Sequence, residues 1–247
     1  MTVTESILNY ASVKRGVFKR RELINGIVGK CPHVEERAID IQTSRLLKYG
    51  KLQRKGYGRY MLAENVQPEF VYNPSETEKK LFQQLKTLFP FMEFCVWSPV
   101  VLSSYMHHIP NVGYLFVDVE KDGMEPLFHA LQMMNIGRNV LLAPSAEDCD
   151  RYLVGSNAIV VRQLIGQSPL IEVDGCIVPR IEKILVDAIG DKELQFAGGS
   201  EIYNIFECAR ERHNVNMSKL NRYASRRNRR DKLQQIIETI DYDKSEE

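Results

Sequence analysis

The sequence has no long apolar run and no cysteine framework. No stretch of about 18 consecutive apolar residues occurs in the 247-residue chain, so a membrane-spanning helix is not expected. Its five cysteines are scattered without a CxxC pair, and their odd number argues against a disulfide framework or a zinc site. The first ten residues lack the basic and apolar segments of a secretion signal. These absences favour a protein of the reducing cytoplasm.

Acidic residues are scarce in the first quarter of the chain, although the whole chain has a formal net charge of only +1. Residues 1–63 hold 13 lysines and arginines against 5 acidic residues, a net charge of +8. Residues 64–215 hold 12 basic and 21 acidic residues, a net charge of −9. Clustered lysine and arginine are typical of a phosphate-binding surface. We therefore expect a polyanionic partner for the first part, although a solvated surface can also segregate its charges.

The basic first part has the pattern of three helices. Apolar residues recur at helical spacing in three segments, at residues 4–12, 18–28 and 31–50. Thr4 is placed to cap the first helix, and Pro32 suits the first turn of the third. Ile39, Ile41 and Leu46 belong to the broad apolar face of the third helix. Gly50 is expected to end that helix in a left-handed conformation.

A β-hairpin follows the third helix. Residues 51–54 and 59–62 alternate or carry β-formers, and the sequence KGYG between them has the composition of a hairpin turn. Three helices and a two-stranded wing predict a winged helix-turn-helix domain over residues 1–63. In that geometry the third helix enters the major groove of DNA and the wing rests on the backbone.

The polar face of the third helix supplies the candidate DNA contacts. Residues placed at intervals of about 100° put Arg37, Asp40, Ser44 and Lys48 opposite the apolar face. Arg37 and Ser44 are candidates for base edges or nearby phosphates. The candidates for backbone contacts are Lys48, Lys51, Arg54, Lys55 and Arg59. Acidic residues on the same helix, at positions 35, 36 and 40, would repel phosphates. Winged helices also serve as protein-docking modules, so that alternative stays open.

A second domain is predicted after a linker at residues 64–75, which contains two prolines and no helical period. Ser75 and Glu78 have capping-box spacing, and the following helix carries an apolar stripe of Leu81, Phe82, Leu85 and Leu88. Five short apolar runs then alternate with helical segments: FCVW, VGYLFVDV, RNVLLA, AIVV and LIEV. This pattern favours a mixed or mostly parallel sheet covered by helices. Residues 200–247 are expected to be helical, so the predicted fold class is α+β.

The second domain, residues 76–247, offers only weak signals of catalysis. Asp118 and Glu120 are two residues apart at the end of a strand, as in metal-dependent nucleases, but such alternation is also common on solvated edges. Gly198 and Gly199 precede Ser200, a possible helix cap, in either a phosphate-binding or a merely flexible loop. No P-loop, GxSxG or HExxH motif occurs. We assign no catalytic residue, metal ligand or cofactor and expect a protein that is not an enzyme.

The last third of the chain contains two features that involve charged residues. Asp187 lies off the apolar stripe of its helix, where it is either exposed or paired with a basic residue from the last helices. A run of arginines near the C-terminus is predicted to lie on the outer side of two short helices, as a solvated face or a second phosphate-contacting patch. Its members are Arg222, Arg226, Arg227, Arg229 and Arg230.

Two segments of this domain resemble motifs of the AbiEi family, the antitoxins of bacterial abortive-infection, type IV toxin–antitoxin systems. The first motif is a V-x-(s)-P-E-R-x-L-x-D-like segment after a strand hairpin, and the second is L-x-x-Y-A-x-R. The first is matched by Val178, Pro179, Glu182, Lys183, Leu185 and Asp187, with Lys183 in place of the usual arginine. The second is matched by Leu220, Tyr223, Ala224 and Arg226. The order of elements, beginning with a winged helix, is similar over nearly the whole chain.

The resemblance implies an antitoxin that acts in phage defence. Its winged helix would repress its own operon by binding operator DNA, and its second domain would counteract a nucleotidyltransferase-like toxin without having to bind it directly. The sequence departs from the family pattern in an insert around residues 120–135. Two alternatives remain: a protein-docking adaptor, and a nuclease that uses Asp118 and Glu120 with a divalent metal.

Overall fold

The chain is an α+β protein with an N-terminal winged helix-turn-helix, a mixed α/β domain and a helical C-terminal region. The computed structural model describes residues 2–29, 34–63, 67–134 and 137–246, and the side chains of residues up to 242. Two units are distinguished: Met1–Pro68 with Asn216–Ser218, and Glu69–Val215 with Lys219–Glu247. Cys31, Pro32, the first three residues of the predicted linker and the last residue of the predicted insert lie outside the described part.

The first unit has the element order of a winged helix. Its elements are α1 (Val3–Lys14), β1 (Phe18–Lys19), α2 (Arg20–Val28), α3 (Glu36–Lys48), β2 (Leu52–Gly56) and β3 (Arg59–Leu62). The three strands form an antiparallel sheet in the order β1-β3-β2. The short strand β1 begins at Phe18, which the sequence had placed in a helix, because Phe18 pairs with Tyr60 of β3.

The core of the first unit is formed by apolar residues of all three helices and of the sheet. Ile7, Ile39 and Leu46 are at most 5% exposed. Ile41 was expected on the same face, but it is 46% exposed, since it projects from the other side of α3. The first helix also begins earlier than predicted, because Thr2 rather than Thr4 forms the capping box with Glu5.

The end of α3 and the wing follow the predicted pattern. Gly50 has a φ of +66°, and the amides of Gly50 and Lys51 donate to the carbonyls of Leu47 and Leu46. This is the paired hydrogen bonding of a Schellman motif, which needs a left-handed residue and therefore favours glycine. The hairpin of β2 and β3 turns at residues 57–58, with an irregularity between Arg54 and Gly56. The predicted helix stop and hairpin are confirmed.

The second unit is built on a four-stranded mixed sheet. Its strands are β4 (Phe94–Trp97), β5 (Leu115–Val119), β6 (Val140–Leu142) and β7 (Ile159–Gln163), in the order β4-β5-β7-β6. Strand β4 is antiparallel to β5, whereas β5, β7 and β6 are parallel. A separate hairpin pairs β8 (Leu170–Val173) with β9 (Cys176–Pro179). All five predicted strands are present, but the fifth, LIEV in β8, lies in this hairpin and not in the mixed sheet.

Helices accompany this sheet and form the C-terminal region. The α-helices are α4 (Glu76–Leu88), α5 (Met124–Met133), α6 (Ala146–Tyr152), α7 (Ile181–Ala188), α8 (Glu201–Arg212), α9 (Met217–Arg226) and α10 (Arg230–Glu246). Among the described residues, 3₁₀ segments occur at Pro99–Tyr105, Lys121–Gly123 and Lys192–Ala197. None of the helices in the described part of the chain is both long and apolar enough to cross a membrane.

Helix α4 follows the pattern predicted from the sequence except at its last residue. The capping box of Ser75 and Glu78 is confirmed, since each side chain accepts a hydrogen bond from the backbone amide of the other residue. The buried Glu78 carboxylate also accepts from the hydroxyl of Tyr72. Leu81, Phe82 and Leu85 are buried as predicted. Leu88, at the end of the helix, is 54% exposed, so it does not belong to the buried stripe.

Replacing Leu85 by alanine should destabilise the second unit far more than the same change at Leu88. Leu85 is fully buried, so its truncation leaves a cavity and should lower the free energy of unfolding by about 2–5 kcal/mol. Leu88→Ala should cost less than about 1 kcal/mol. Chemical denaturation followed by circular dichroism measures both. Equal effects of the two substitutions would contradict the assigned burial.

Candidate functional site

The exposed face of α3 carries a stripe of polar and basic side chains. Arg37, Ser44 and Lys48 are all exposed, as predicted from the helical spacing. Ile41 and Arg45 are exposed on the same helix. A shallow surface groove of about 390 Å³ runs along this face between Asp40 and Lys48. The recognition helix of a winged helix presents the corresponding face to the major groove.

An ion pair compensates one of the acidic residues of α3. The guanidinium of Arg20, at the start of α2, donates from Nε to Asp40 Oδ1 at 2.8 Å and from Nη2 to Asp40 Oδ2 at 2.6 Å. The same guanidinium lies 3.9 Å from a carboxylate oxygen of Glu36. A bidentate arginine pair fixes the carboxylate in one orientation. The negative charge of Asp40, which would oppose phosphate binding, is therefore partly cancelled within the protein.

The wing presents further basic side chains. Lys51, Arg54 and Arg59 are exposed, whereas Lys55 is only partly so, and burial lowers the pKa of its amine. The guanidinium carbon of Arg54 lies 5.9 Å from the centre of the Tyr60 ring. Tyr57 is fully exposed at the tip of the hairpin. Tyr57 is not among the DNA contacts predicted from the sequence, although its place between two turn glycines indicates an exposed tip.

The C-terminal arginine run does not form one outer patch. Arg222, Arg226 and Arg230 are exposed, but Arg227 and Arg229 turn inward. Both donate to Asp191, Arg229 at 2.6 Å. Their inward orientation corrects the prediction of five outward-facing arginines. Its cause is the sharp turn at Asn228, where φ is +53° between α9 and α10.

Arg229 also caps the end of α7. Its Nη1 donates to the carbonyls of Val186 at 2.9 Å and Asp187 at 3.1 Å. These carbonyls belong to the last turn of α7, where carbonyls lack helical partners and the helix dipole is negative. The Arg229 guanidinium supplies hydrogen-bond donors to these carbonyls and a positive charge at the negative end of the helix dipole.

A buried ionic cluster lies at the centre of the second unit. We define it as Asp118, Arg162, Lys183, Asp187, Asp191, Arg227 and Arg229. The Asp118 carboxylate accepts hydrogen bonds from Arg162 Nε at 2.8 Å, Arg162 Nη2 at 3.1 Å and Lys183 Nζ at 2.6 Å. It also accepts from Trp97 Nε1 at 2.8 Å. Both of its oxygens are therefore hydrogen-bonded to cations.

Neighbouring elements bring the members of the ionic cluster together. Asp118 on β5 and Arg162 on β7 face each other in the register of two adjacent parallel strands. Lys183 and Asp187 are one turn apart on α7, and Nζ lies 2.6 Å from Oδ2. The Tyr223 hydroxyl of α9 donates to Asp187 Oδ1 at 3.0 Å. The interpretation of Asp187 as paired with a basic residue is confirmed, since Arg227 Nε also lies 3.7 Å from it.

The electrostatics of the ionic cluster favour the charged forms. Burial alone would raise the pKa of Asp118, but the charges of Arg162 and Lys183 outweigh it and hold that pKa below its ordinary value. Burial likewise opposes the charge of Lys183, yet Asp118 and Asp187 raise its pKa well above the ordinary value. Because folding lowers the pKa of Asp118, its ionised carboxylate stabilises the folded state at pH values above about 4, the pKa in the unfolded chain. This stabilisation is lost as the pH falls towards the pKa of Asp118 in the folded state.

The two carboxylates considered for a nuclease have different surroundings. Asp118 is 1% exposed and its carboxylate is occupied by two cations, whereas Glu120 is exposed beyond the end of β5. A carboxylate oxygen of Glu120 accepts a hydrogen bond of 3.4 Å from the amide of Glu93. Within the described ranges, no group of three or more histidine, cysteine, aspartate or glutamate residues has an arrangement that could hold a metal. The geometry therefore gives no support to a metal centre at Asp118 and Glu120.

The glycine pair before α8 is also unlike a phosphate cradle. Ser200 lies at the N-terminus of α8, but its side chain makes no capping hydrogen bond. The carboxylate of Glu201 is instead 3.2 Å from His108 Nδ1 and accepts a 3.2 Å hydrogen bond from the His107 amide. His107 and His108 thus both contact Glu201, an acidic residue that is distant from them in sequence.

The comparison with known proteins places the chain in a family without an assigned activity. Residues 38–243 match a family of unknown function, DUF6577, and the chain belongs to that family. The match begins within α3 and includes the wing and every member of the ionic cluster. No curated protein matches the chain.

Removing the ammonium group of Lys183 should strongly destabilise the second unit. Lys183→Met removes a 2.6 Å hydrogen bond from the carboxylates of both Asp118 and Asp187 and leaves the buried cluster with one cation fewer, which should lower the free energy of unfolding by about 3–5 kcal/mol. Lys192→Met, at an exposed position in the same region, should change it by less than about 0.5 kcal/mol.

Denaturant titration of the two variants and of Asp118→Leu/Lys183→Met distinguishes a charge effect from a loss of packing. The double variant should recover part of the stability lost in Lys183→Met, because it removes the uncompensated charge. An unfolding free energy of Lys183→Met equal to that of the native protein would be inconsistent with a buried ion pair at this position.

Proposed function

We propose that this protein is a DNA-binding transcriptional regulator that inserts α3 into the major groove and rests its wing on the phosphate backbone. The observation that carries the proposal is the pairing of Asp40 with Arg20 beside an exposed stripe of Arg37, Ser44 and Lys48. Because the Asp40 carboxylate is paired, the side chains available for binding in the middle of α3 are mostly basic or uncharged. A net charge of +8 over residues 1–63 supplies attraction to a polyanion.

Sequence specificity would come from the middle of α3. Arginine can donate two hydrogen bonds to guanine, and a serine hydroxyl can donate to or accept from several bases. Arg37 and Ser44 are the residues we assign to base edges. Ile41 is 46% exposed between them and would contact a thymine methyl group.

Affinity independent of sequence would come from the wing and the end of α3. Lys48, Lys51, Arg54, Lys55 and Arg59 are the residues we assign to phosphates. Each phosphate contact releases counterions, so binding should weaken steeply as salt is added. We propose the cytoplasm as the compartment of the protein.

The narrower proposal is that the regulator is an AbiEi-like antitoxin that represses its own operon. It is supported by the winged helix at the start of the chain and by the spatial meeting of the two motif segments, since Tyr223 donates to Asp187. Co-expression with a neighbouring nucleotidyltransferase-like gene is the direct test. Rescue from growth arrest by this protein supports the antitoxin, and unrelieved toxicity refutes it while leaving DNA binding intact.

A protein-docking adaptor is the competing function of the first unit. Its strongest argument is the pair of acidic residues Glu35 and Glu36, which are exposed at the start of α3. Acidic residues are also favoured at a helix N-terminus by the helix dipole, so they have a structural explanation. Absence of DNA binding together with capture of a defined protein by the first unit would favour the adaptor.

Reversing the charge of the wing should abolish DNA retention. Arg54→Glu/Lys55→Glu/Arg59→Glu changes three proposed phosphate contacts into repulsive ones, so affinity should fall by more than about 100-fold at moderate salt. Fluorescence anisotropy with a labelled duplex measures the affinity. The matched control, Lys80→Glu/Lys121→Glu/Lys232→Glu, makes the same change of charge at exposed positions of the second unit.

The control should retain most of the affinity if the wing binds DNA. Equal losses in the two triple variants would indicate a general effect of net charge and would remove the wing from the interface.

The pairing of Arg20 with Asp40 can be tested by a double-mutant cycle. Arg20→Gln frees the Asp40 carboxylate beside the DNA and should weaken binding by about tenfold. Asp40→Asn alone should strengthen binding or leave it unchanged, and Arg20→Gln/Asp40→Asn should bind better than Arg20→Gln. Anisotropy titrations at one salt concentration provide the four affinities. Strictly additive effects would show that the pair does not shape the interface.

A further inference from the structure

A cavity opens at the carboxyl edge of the parallel strands in the second unit. Its volume is about 390 Å³, within the size range of small-molecule sites. Asp118 and Arg162 reach it from the last residues of β5 and β7, and Ala143 directly follows β6. In open α/β sheets, ligands bind outside the carboxyl ends of the strands. The position of the cavity is therefore that of a ligand site.

The wall of the cavity has more cationic than anionic groups. The cations are Arg162, Lys183, Lys192, Arg227 and Arg229, and the carboxylates are Asp118, Asp187, Asp191 and Glu193. Burial raises the pKa of Glu193, with Arg162 opposing the rise, so the negative charge of that carboxyl is disfavoured. The other three carboxylates already accept hydrogen bonds from cations of the ionic cluster. The wall can therefore accept a further negative charge.

Arg227 has donor capacity that the protein does not use. Its Nη2 donates to Asp191, but its buried Nε has no hydrogen-bond partner among the residues that the structure describes. The nearest carboxylate oxygen, Asp187 Oδ1, is 3.7 Å away, which is beyond hydrogen-bond distance. A buried donor without an acceptor is unfavourable. Nε itself lies below the surface, so an anion in the cavity would approach the rest of the Arg227 guanidinium, whose side chain is 17% exposed, and would compensate its charge.

The remaining wall combines apolar residues with Gln163, Gly190 and Tyr223. Met124, Ala143 and Ile165 contribute side chains to the cavity. Ala143 has a φ of +41°, a conformation that residues other than glycine seldom adopt. Strained backbone of this kind is concentrated at ligand-binding and active sites.

We propose that this cavity binds a nucleoside monophosphate, with its phosphate group held by Arg227, Arg229 and Lys192 and its base against Met124 and Ile165. Guanidinium groups match the geometry of phosphate oxygens, which favours a phosphate over a carboxylate ligand. The apolar part of the wall and the volume of the cavity leave room for more than an inorganic ion. The site belongs to the second unit, so the proposal does not depend on DNA binding by the first.

Isothermal titration calorimetry of the full chain with AMP, GMP, inorganic phosphate and adenosine tests the proposal. AMP or GMP should bind, and adenosine should bind at least about tenfold more weakly because it lacks the phosphate. Arg227→Gln should weaken nucleotide binding by about tenfold or more. Arg226→Gln is the matched control: the neighbouring arginine is exposed and is not part of the cavity wall, so affinity should change by less than about twofold.

Arg227 also belongs to the ionic cluster, so its substitution can disturb folding as well as binding. A second variant outside the cluster tests the site without that effect. Lys192→Gln changes an exposed residue of the cavity wall and should weaken nucleotide binding, whereas Lys121→Gln, exposed outside it, should not. No binding of either nucleotide would overturn the proposal, as would equal binding of AMP and adenosine. Equal affinity for AMP and inorganic phosphate would overturn the assignment of a nucleotide, and nucleotide binding unaffected by Arg227→Gln and Lys192→Gln would place the site elsewhere.

Discussion

The carboxylate of Asp118, buried between Arg162 and Lys183, is the constraint on which the second unit depends. Three charges at hydrogen-bond distance in the protein interior are favourable only when every member is present and correctly placed. That requirement fixes the register of β5 against β7, because Asp118 and Arg162 must face each other. It also fixes the position of α7 over the sheet, since Lys183 must reach the same carboxylate. Through Asp187 and Asp191 the network continues to Tyr223, Arg227 and Arg229, which position the turn between α9 and α10.

The two units use charge in opposite ways. In the first unit, most basic side chains are exposed and Asp40 beside them is paired with Arg20, which suits attraction to a polyanion. In the second unit, cations and carboxylates are buried together, so that their charges organise the fold and line a cavity. Part of the acidic excess of residues 64–215 is therefore buried. The overall charge of +1 combines two units in which charged residues are arranged differently. These arrangements of charge agree with the two proposals, DNA binding by the first unit and a ligand site in the second.

Local patterns predicted much of the fold. The helix stop at Gly50, the wing, the capping box of Ser75 and five strands were readable because each depends on neighbouring residues in sequence. The turn of the β8–β9 hairpin also has a local signal, since Asp174 and Gly175 form the kind of two-residue turn that hairpins prefer, although β9 was not among the predicted strands. The pairs of Arg20 with Asp40 and of Asp118 with Arg162 were not readable. They join residues 20 and 44 positions apart, and only the packing of whole elements brings them together. The same reason explains why Arg227 and Arg229 were expected on the surface.

The most direct test of the central claim is the affinity of the unmodified protein for DNA as a function of salt. Fluorescence anisotropy would compare the DNA upstream of its own gene with a scrambled duplex of the same length and composition. We predict a clear preference for the upstream sequence and a logarithmic salt dependence steeper than about −3, because each neutralised phosphate contributes a slope of about −0.9. Equal weak binding to both duplexes, or none, would contradict operator recognition by α3 and the wing.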